Sequence, residues 1–194
     1  MNNNFPQISD RQEFQKTDFT QLDLSHREFS DCVFKKCNLS DCSLQSSSFI
    51  DCTFVECNFS NTKVEDCGFQ NVIFENSKLL GIAFSKINTL LINWTFKNCM
   101  INLCDFSKLD IKNSQFLECE IRESDFIGSN LSSSSFRGSI LEACKFHDTN
   151  LERASFVESK GYYIDPRSNK LKGAEFSYSE ALLLLAPLEI KIKY

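Results

Sequence analysis

Ten cysteines carry most of the chemistry this chain could offer: Cys32, Cys37, Cys42, Cys52, Cys57, Cys67, Cys99, Cys104, Cys119 and Cys144. Thiolates bind zinc, attack electrophiles and pair as disulfides. Five of them fall in the stretch FSDCVFKKCNLSDCSLQSSSFIDCTFVECNFS, from Phe29 to Ser60, where every gap is five or ten residues. A structural zinc site needs converging ligands, typically from close CxxC pairs, and the chain has no CxxC. The opening residues MNNNFPQISDRQEF lack the basic and apolar regions of a secretory leader. A reducing compartment is therefore expected, in which thiols stay reduced. What the cysteines share is a neighbour, because each stands two residues before a large apolar residue. The pattern predicts a small inward-facing side chain that behaves as a compact hydrophobe, rather than a metal or redox centre.

The elements that place those thiols follow from the same spacing. Large residues recur every five positions from Phe14 through Phe19, Leu24, Phe29 and Phe34 to Phe84. They resume at Phe96, Ile101 and Phe106 and continue to Phe156, with Phe176 in step. Every phenylalanine except Phe5 lies on this beat. Five is neither the helical period nor the strand period. It suits an extended segment whose centre and the residue two before it point inward, followed by two residues that turn a corner. From Phe96 to Phe156 the centres alternate Phe with Ile or Leu, and four sides turn that alternation into unbroken stacks. The expected fold is all-β, a quadrilateral parallel β-helix of 20 residues per coil over residues 12–176, after a cap at residues 1–11. Eight coils would make a rod ~40 Å long. Between the inward positions, Asn38 and Asn58 stand one coil apart above Asp18, and Asn130 and Asn150 stand likewise above Asp110. These predict solvent-facing side-chain ladders.

Two segments break the beat. Phe96 follows Phe74 by 22 residues, which puts two extra residues between 85 and 95, within SKINTLLINWT. Thr89 is a poor centre and Trp94 is out of step with Phe96, so a bulge is expected there. It is either a tolerated insertion or a projecting contact, with Asn88, Asn93 and Trp94 as candidates and Trp94 the best anchor if exposed. In the tail, residues 177–194, SYSEALLLLAPLEIKIKY, Ser179 can cap a short helix that Pro187 ends. A terminal strand then puts Leu188, Ile190, Ile192 and Tyr194 on one face. Leu182, Leu183, Leu184 and Leu185, with Leu188, Ile190 and Ile192, either cap the coil or pair with a second copy; the residues alone leave both open.

Composition narrows the function classes. The net charge of −5 disfavours a polyanion-binding surface, so no direct nucleic-acid contact is expected. No apolar run approaches the ~18–20 residues that span a bilayer, so a soluble, cytoplasmic protein is expected. His26 and His147 lie about six coils, or roughly 30 Å, apart and cannot share a site. No phosphate loop, metal cluster or nucleophile–base pair appears, so neither catalysis nor a cofactor is expected.

The blocks CNLSD, CNFSN, CDFSK, SDFIG, SNLSS and TNLER resemble the A(D/N)LXX motif of the pentapeptide-repeat family over residues 12–176. That resemblance implies a right-handed quadrilateral β-helix. YYIDPRSNKLKGAEFSYSEALLLLAPLEIKI is similar to the C-terminal module of the Qnr-type quinolone-resistance proteins and of the immunity protein against microcin B, and SKLLGI to their mid-chain glycine region. The resemblance implies a head-to-head homodimer through the C-terminal helix and strand. It also implies a DNA-like rod that binds DNA gyrase or topoisomerase IV and protects it from inhibitors. Asp31, Asp41, Asp51, Asp105 and Asp125 are the candidate acidic contacts; Asp31 and Asp51 stack on one corner, Asp105 and Asp125 on another side. The competing expectation is an interaction scaffold for an unrelated cytosolic partner.

Overall fold

The structure, a computed structural model, describes residues 6–190. The beat folds into a four-walled parallel solenoid, and each wall can be named by its first full centre. On the Phe14 wall, Glu13–Gln15, Val33–Lys35, Thr53–Val55, Val72–Glu75, Trp94–Lys97 and Gln115–Leu117 form a six-stranded sheet, and Ser155–Phe156 pairs with Glu175–Phe176 higher up. On the Phe29 wall, Ile8–Asp10, Glu28–Ser30, Ser48–Ile50 and Gly68–Gln70 form a sheet that ends at the insertion. On the Phe19 wall, Lys78–Leu80, Met100–Asn102, Glu120–Arg122 and Ile140–Glu142 form the upper sheet. The Leu24 wall is joined by single parallel bridges such as Ser43↔Lys63 and Asp105↔Asp125. Register sets centre over centre: Phe54 faces Phe74, Phe74 faces Phe96 and Phe96 faces Phe116, with no slip across the insertion.

Stacked rings fill the lumen. On the Phe14 wall, Phe96 and Phe116 stack with centroids 4.9 Å apart and Phe116 and Phe136 also at 4.9 Å, while Phe106 and Phe126 meet Phe116 edge-on at 5.9 Å. Offset and edge-to-face contacts are the favoured aromatic geometries, and each buried ring contributes ~1.5–3 kcal/mol by burial alone. A second aromatic column changes wall at the insertion. Below it, Phe29, Phe49 and Phe69 stack on the Phe29 wall; above it, Phe84, Phe106, Phe126 and Phe146 stack on the Leu24 wall.

The corners explain much of the surface composition. The residue two after a centre takes a left-handed backbone, as at Asp41 (φ 55°), Asn61 (φ 56°) and Asn71 (φ 51°). This region costs an ordinary L-residue ~1–2 kcal/mol, and Asn, Asp and Gly enter it most easily. Hydrogen-bonded ladders run outside the walls as expected: Asn58 Nδ2 donates to Asn38 Oδ1 at 3.1 Å, and Asn130 Nδ2 to Asp110 Oδ1 at 2.8 Å.

The slot two residues before each centre does more than accept a small group. At most of these positions the thiol or hydroxyl donates to the carbonyl of the centre on the preceding wall, one coil below; Cys42, Cys67 and Cys119 donate instead to Ser43 O, Gly68 O and Leu117 O of their own coil. Cys52 Sγ reaches Phe29 O at 3.4 Å, Cys57 Sγ reaches Phe34 O at 3.3 Å and Ser139 Oγ reaches Phe116 O at 2.8 Å. Slot hydroxyls also accept the backbone N–H of the slot residue one coil below, as Ser77 Oγ does from Cys57 N at 3.0 Å and Ser139 Oγ from Cys119 N at 2.9 Å. All ten thiols are buried and unpaired in any disulfide. Where the slot holds Cys, Ser or Thr it also satisfies buried backbone groups, which small size and hydrophobicity alone do not do, although Val72, Ile82, Leu109 and Ala154 fill the same position with apolar side chains. Cys57→Ala should therefore lower stability by ~1–3 kcal/mol, while Cys57→Ser should cost well under that. Urea unfolding of both variants measures the difference, and equal costs would contradict the hydrogen-bonding role.

Candidate interaction surfaces

The insertion forms a short loop on the Phe29 wall, and its residues do not sit as expected. Trp94 does not project. It is fully buried, and its indole lies among Phe69, Phe84, Phe96 and Phe106 at centroid distances of 6.4, 5.2, 5.9 and 6.3 Å. The reason is the slot rule: Trp94 stands two before Phe96, and its Nε1–H donates to Phe69 O at 2.9 Å, as a thiol would. Thr89, where the Phe29 wall should supply a centre, is exposed, and the large indole fills the space so vacated. The detour has one cost. Ser114, the slot above Trp94, would donate to a carbonyl of the looped-out segment, and its buried Oγ has no partner.

Leu90 and Leu91 are what the loop presents, 70% and 64% exposed. Asn88 and Asn93 hold its ends. Asn88 Oδ1 accepts the Leu90 N–H at 3.0 Å, and Asn93 Nδ2 donates to Asn71 Oδ1 at 3.3 Å. Leu91 turns the loop with φ 55°. The preference of interfaces for aromatic anchors points away from the leucine pair; its signal in the sequence is two consecutive apolar residues just after a missing centre.

The five candidate aspartates do not form one patch. Asp31 and Asp51 stack on the corner that leaves the Phe29 wall, whereas Asp41 occupies the diagonally opposite corner. All three adopt positive φ, so local backbone geometry already favours Asp there. Asp105 and Asp125 bridge on the Leu24 wall, and their Oδ1 atoms accept the N–H of Ser107 at 2.9 Å and Ile127 at 2.8 Å. Partial burial raises the Asp105 pKa, but hydrogen bonds from Ser107 and Ser85 outweigh it and leave the carboxyl below its ordinary value. Several other acids are neutralised between coils, as in Lys36–Glu56 at 3.5 Å, Lys97–Glu75 at 3.1 Å and Arg137–Glu158 at 3.0 Å.

The upper end closes differently from the expected helix and strand. The helix spans Tyr178–Ala181 with Ser177 at its N-cap, two residues earlier than a Ser179 cap would give, and Ser177 Oγ does not cap it but accepts the Glu158 N–H at 2.7 Å. A 3₁₀ segment, Leu182–Leu188, follows with Pro187 inside it, and the chain turns at Glu189 (φ 53°). Leu188 therefore lies in that segment and not in a strand, and Ile192 and Tyr194 lie outside the described residues. Leu184 packs on the core, whereas Leu182, Leu183, Leu188 and Ile190 are 41%, 40%, 43% and 55% exposed. Among the described residues, no three potential metal ligands converge and no helix is long and apolar enough to cross a membrane.

A four-walled parallel solenoid with a hydrogen-bonding slot defines a repeat-protein class. The family model for the pentapeptide repeat region matches residues 27–90 and 67–146, and the chain belongs to that family. No curated protein sequence matches it. Among solved structures, a trypsin-treated form of QnrB1, a plasmid-mediated fluoroquinolone resistance protein, is 19% identical with a TM-score of 0.72, over 96% of this chain and 90% of that one. HetL, a pentapeptide-repeat protein involved in heterocyst differentiation regulation from the cyanobacterium Nostoc sp. strain PCC 7120, is 14% identical with a TM-score of 0.68, over 87% and 84%. These likenesses carry the fold.

Proposed function

We propose that this protein is a non-enzymatic DNA mimic that binds DNA gyrase or topoisomerase IV as a homodimer and protects it from inhibitors. The observation that carries the reading is the match in fold along 96% of the chain to a fluoroquinolone resistance protein. The narrow rod and its net charge of −5, hence −10 for two copies, support it. The exposed leucines at the upper end supply the face on which two copies join. A second reading, a scaffold for an unrelated partner, is favoured by the acids' local roles in corners and ion pairs and by the comparable likeness in fold to HetL.

A supercoiling assay separates the two. With purified gyrase and an inhibitory dose of fluoroquinolone, micromolar protein should restore supercoiling. Asp31→Asn with Asp51→Asn, which keeps residues that tolerate positive φ, should weaken the rescue. Neither rescue nor inhibition of gyrase at that concentration would remove the topoisomerase reading.

A further inference from the structure

Beside the loop, the Phe29 wall carries a groove of about 290 Å³ lined by Ser46, Ser48, Ile50, Gly68, Gln70 and Leu90, with Asp66 on its rim. We infer that this groove is a docking site for an extended, lysine- or arginine-bearing peptide segment of a partner protein. The first observation is Gly68, on the groove floor in the strand Gly68–Gln70. Its backbone is not left-handed. An added Cβ would meet Ser48 Oγ at 3.6 Å and Ser48 Cα at 3.9 Å, both ordinary contacts. Neither a left-handed backbone nor a clash at Cβ requires glycine there; the loop's own Asn88 bridges its upper edge, and a strand glycine often marks a place where a ligand or another backbone approaches closely. The positions below it in the same outward column are Ser48 and Glu28, so the floor is smoothest beside the loop.

The walls give the rest of the chemistry. Leu90 stands 70% exposed at one end and offers an apolar face to a side chain on the floor. Exposed carboxylates flank the floor on both corners, Asp66 on one and Asp51 on the other. The nearby cation Lys86 is engaged by Glu65 at 3.8 Å. A wall of three extended residues is ~10 Å wide, so a five-residue strand with basic ends places both charges at the rims. A polyanion would meet carboxylates on either side.

The inference does not rest on the topoisomerase reading. Loss of protection with peptide binding intact, or the reverse, tells the two apart. The probe is acetyl-Lys-Ala-Leu-Ala-Lys-amide, titrated into the full chain while amide shifts are followed by NMR. Shifts should concentrate at Ser48, Gly68, Gln70 and Leu90, and the analogue with Glu in place of Lys should not produce them. Gly68→Val, which fills the floor, and Leu90→Ser, which removes the wall, should each weaken binding about tenfold without moving the thermal midpoint. Absence of shifts, shifts spread over the other acidic corners, or affinities untouched by both substitutions would overturn the inference. Self-association that Leu90→Ser abolishes would also overturn it, by giving the groove to a second copy.

Discussion

Trp94→Ala should destabilise the rod by about 4–5 kcal/mol, the cost of emptying a large aromatic site plus an orphaned acceptor. The indole is fully buried against four aromatic rings, and its N–H is the partner of Phe69 O. Its loss leaves a cavity where the Phe29 wall already lacks a centre, at the coil where the second aromatic column changes sides. Each coil touches only its neighbours, so the weakened coil uncouples the lower half from the upper and the urea transition should broaden. Leu90→Ser, four residues away, should stay within ~0.5 kcal/mol. Trp94 is the chain's single tryptophan, so its emission reports directly: blue-shifted when folded and shifting to the red as the middle coil opens. A red, quencher-accessible native emission would show that the residue projects after all.

Removing the residues after Ser177 should abolish the proposed dimer. The truncation uncovers half-buried Leu171 and Phe176 and the rings beneath them, where Phe176 stacks on Phe156 at 5.2 Å. An open coil end also exposes unpaired strand edges, so aggregation is the alternative product. Point changes separate the two duties of the segment. Leu182→Ser with Leu183→Ser alters side chains that face solvent in one protomer and should give a folded monomer. Leu184→Ser alters a side chain packed on the core and should lower stability by ~1–2 kcal/mol. Light scattering on the truncated chain that showed an unchanged dimer would contradict the proposed assembly.

Most of the architecture is legible in the spacing. A five-residue beat has few geometric solutions, and the alternation of Phe with Ile or Leu between Phe96 and Phe156 singles out four walls. The two departures have physical causes. The centre beat misplaces Trp94, which obeys the slot beat instead; a slot normally holds a small residue, and only the absent centre at Thr89 makes room for an indole. Alternation among its neighbours assigns Leu188 to a strand, whereas a 3₁₀ turn containing Pro187 carries the chain to Glu189. Surface function is less legible. Corner geometry asks for Asp and Asn whether or not a partner reads them, so acidic residues at corners such as Asp31 and Asp41 carry little functional signal alone. Gly68 and Leu90 are more informative because the fold does not need either.

The central claim is that the beat turns every thiol into the lumen and ties it to a backbone carbonyl. Burial pushes the Cys42, Cys52 and Cys104 thiols up to about 12 and Cys144 to about 11, whereas a hydrogen bond from the Cys57 thiol lowers Cys37 to about 7 and one from the Cys119 thiol lowers Cys99, so those two are shielded from reagent by their burial in the lumen and not by protonation. Titration with an aromatic disulfide reagent counts the thiols directly. The folded protein should react negligibly over minutes, and the same sample in denaturant should release all ten. Several thiols reacting in the folded protein at the rate of a free cysteine, or fewer than ten in denaturant, would contradict a lumen lined by buried, unpaired thiols.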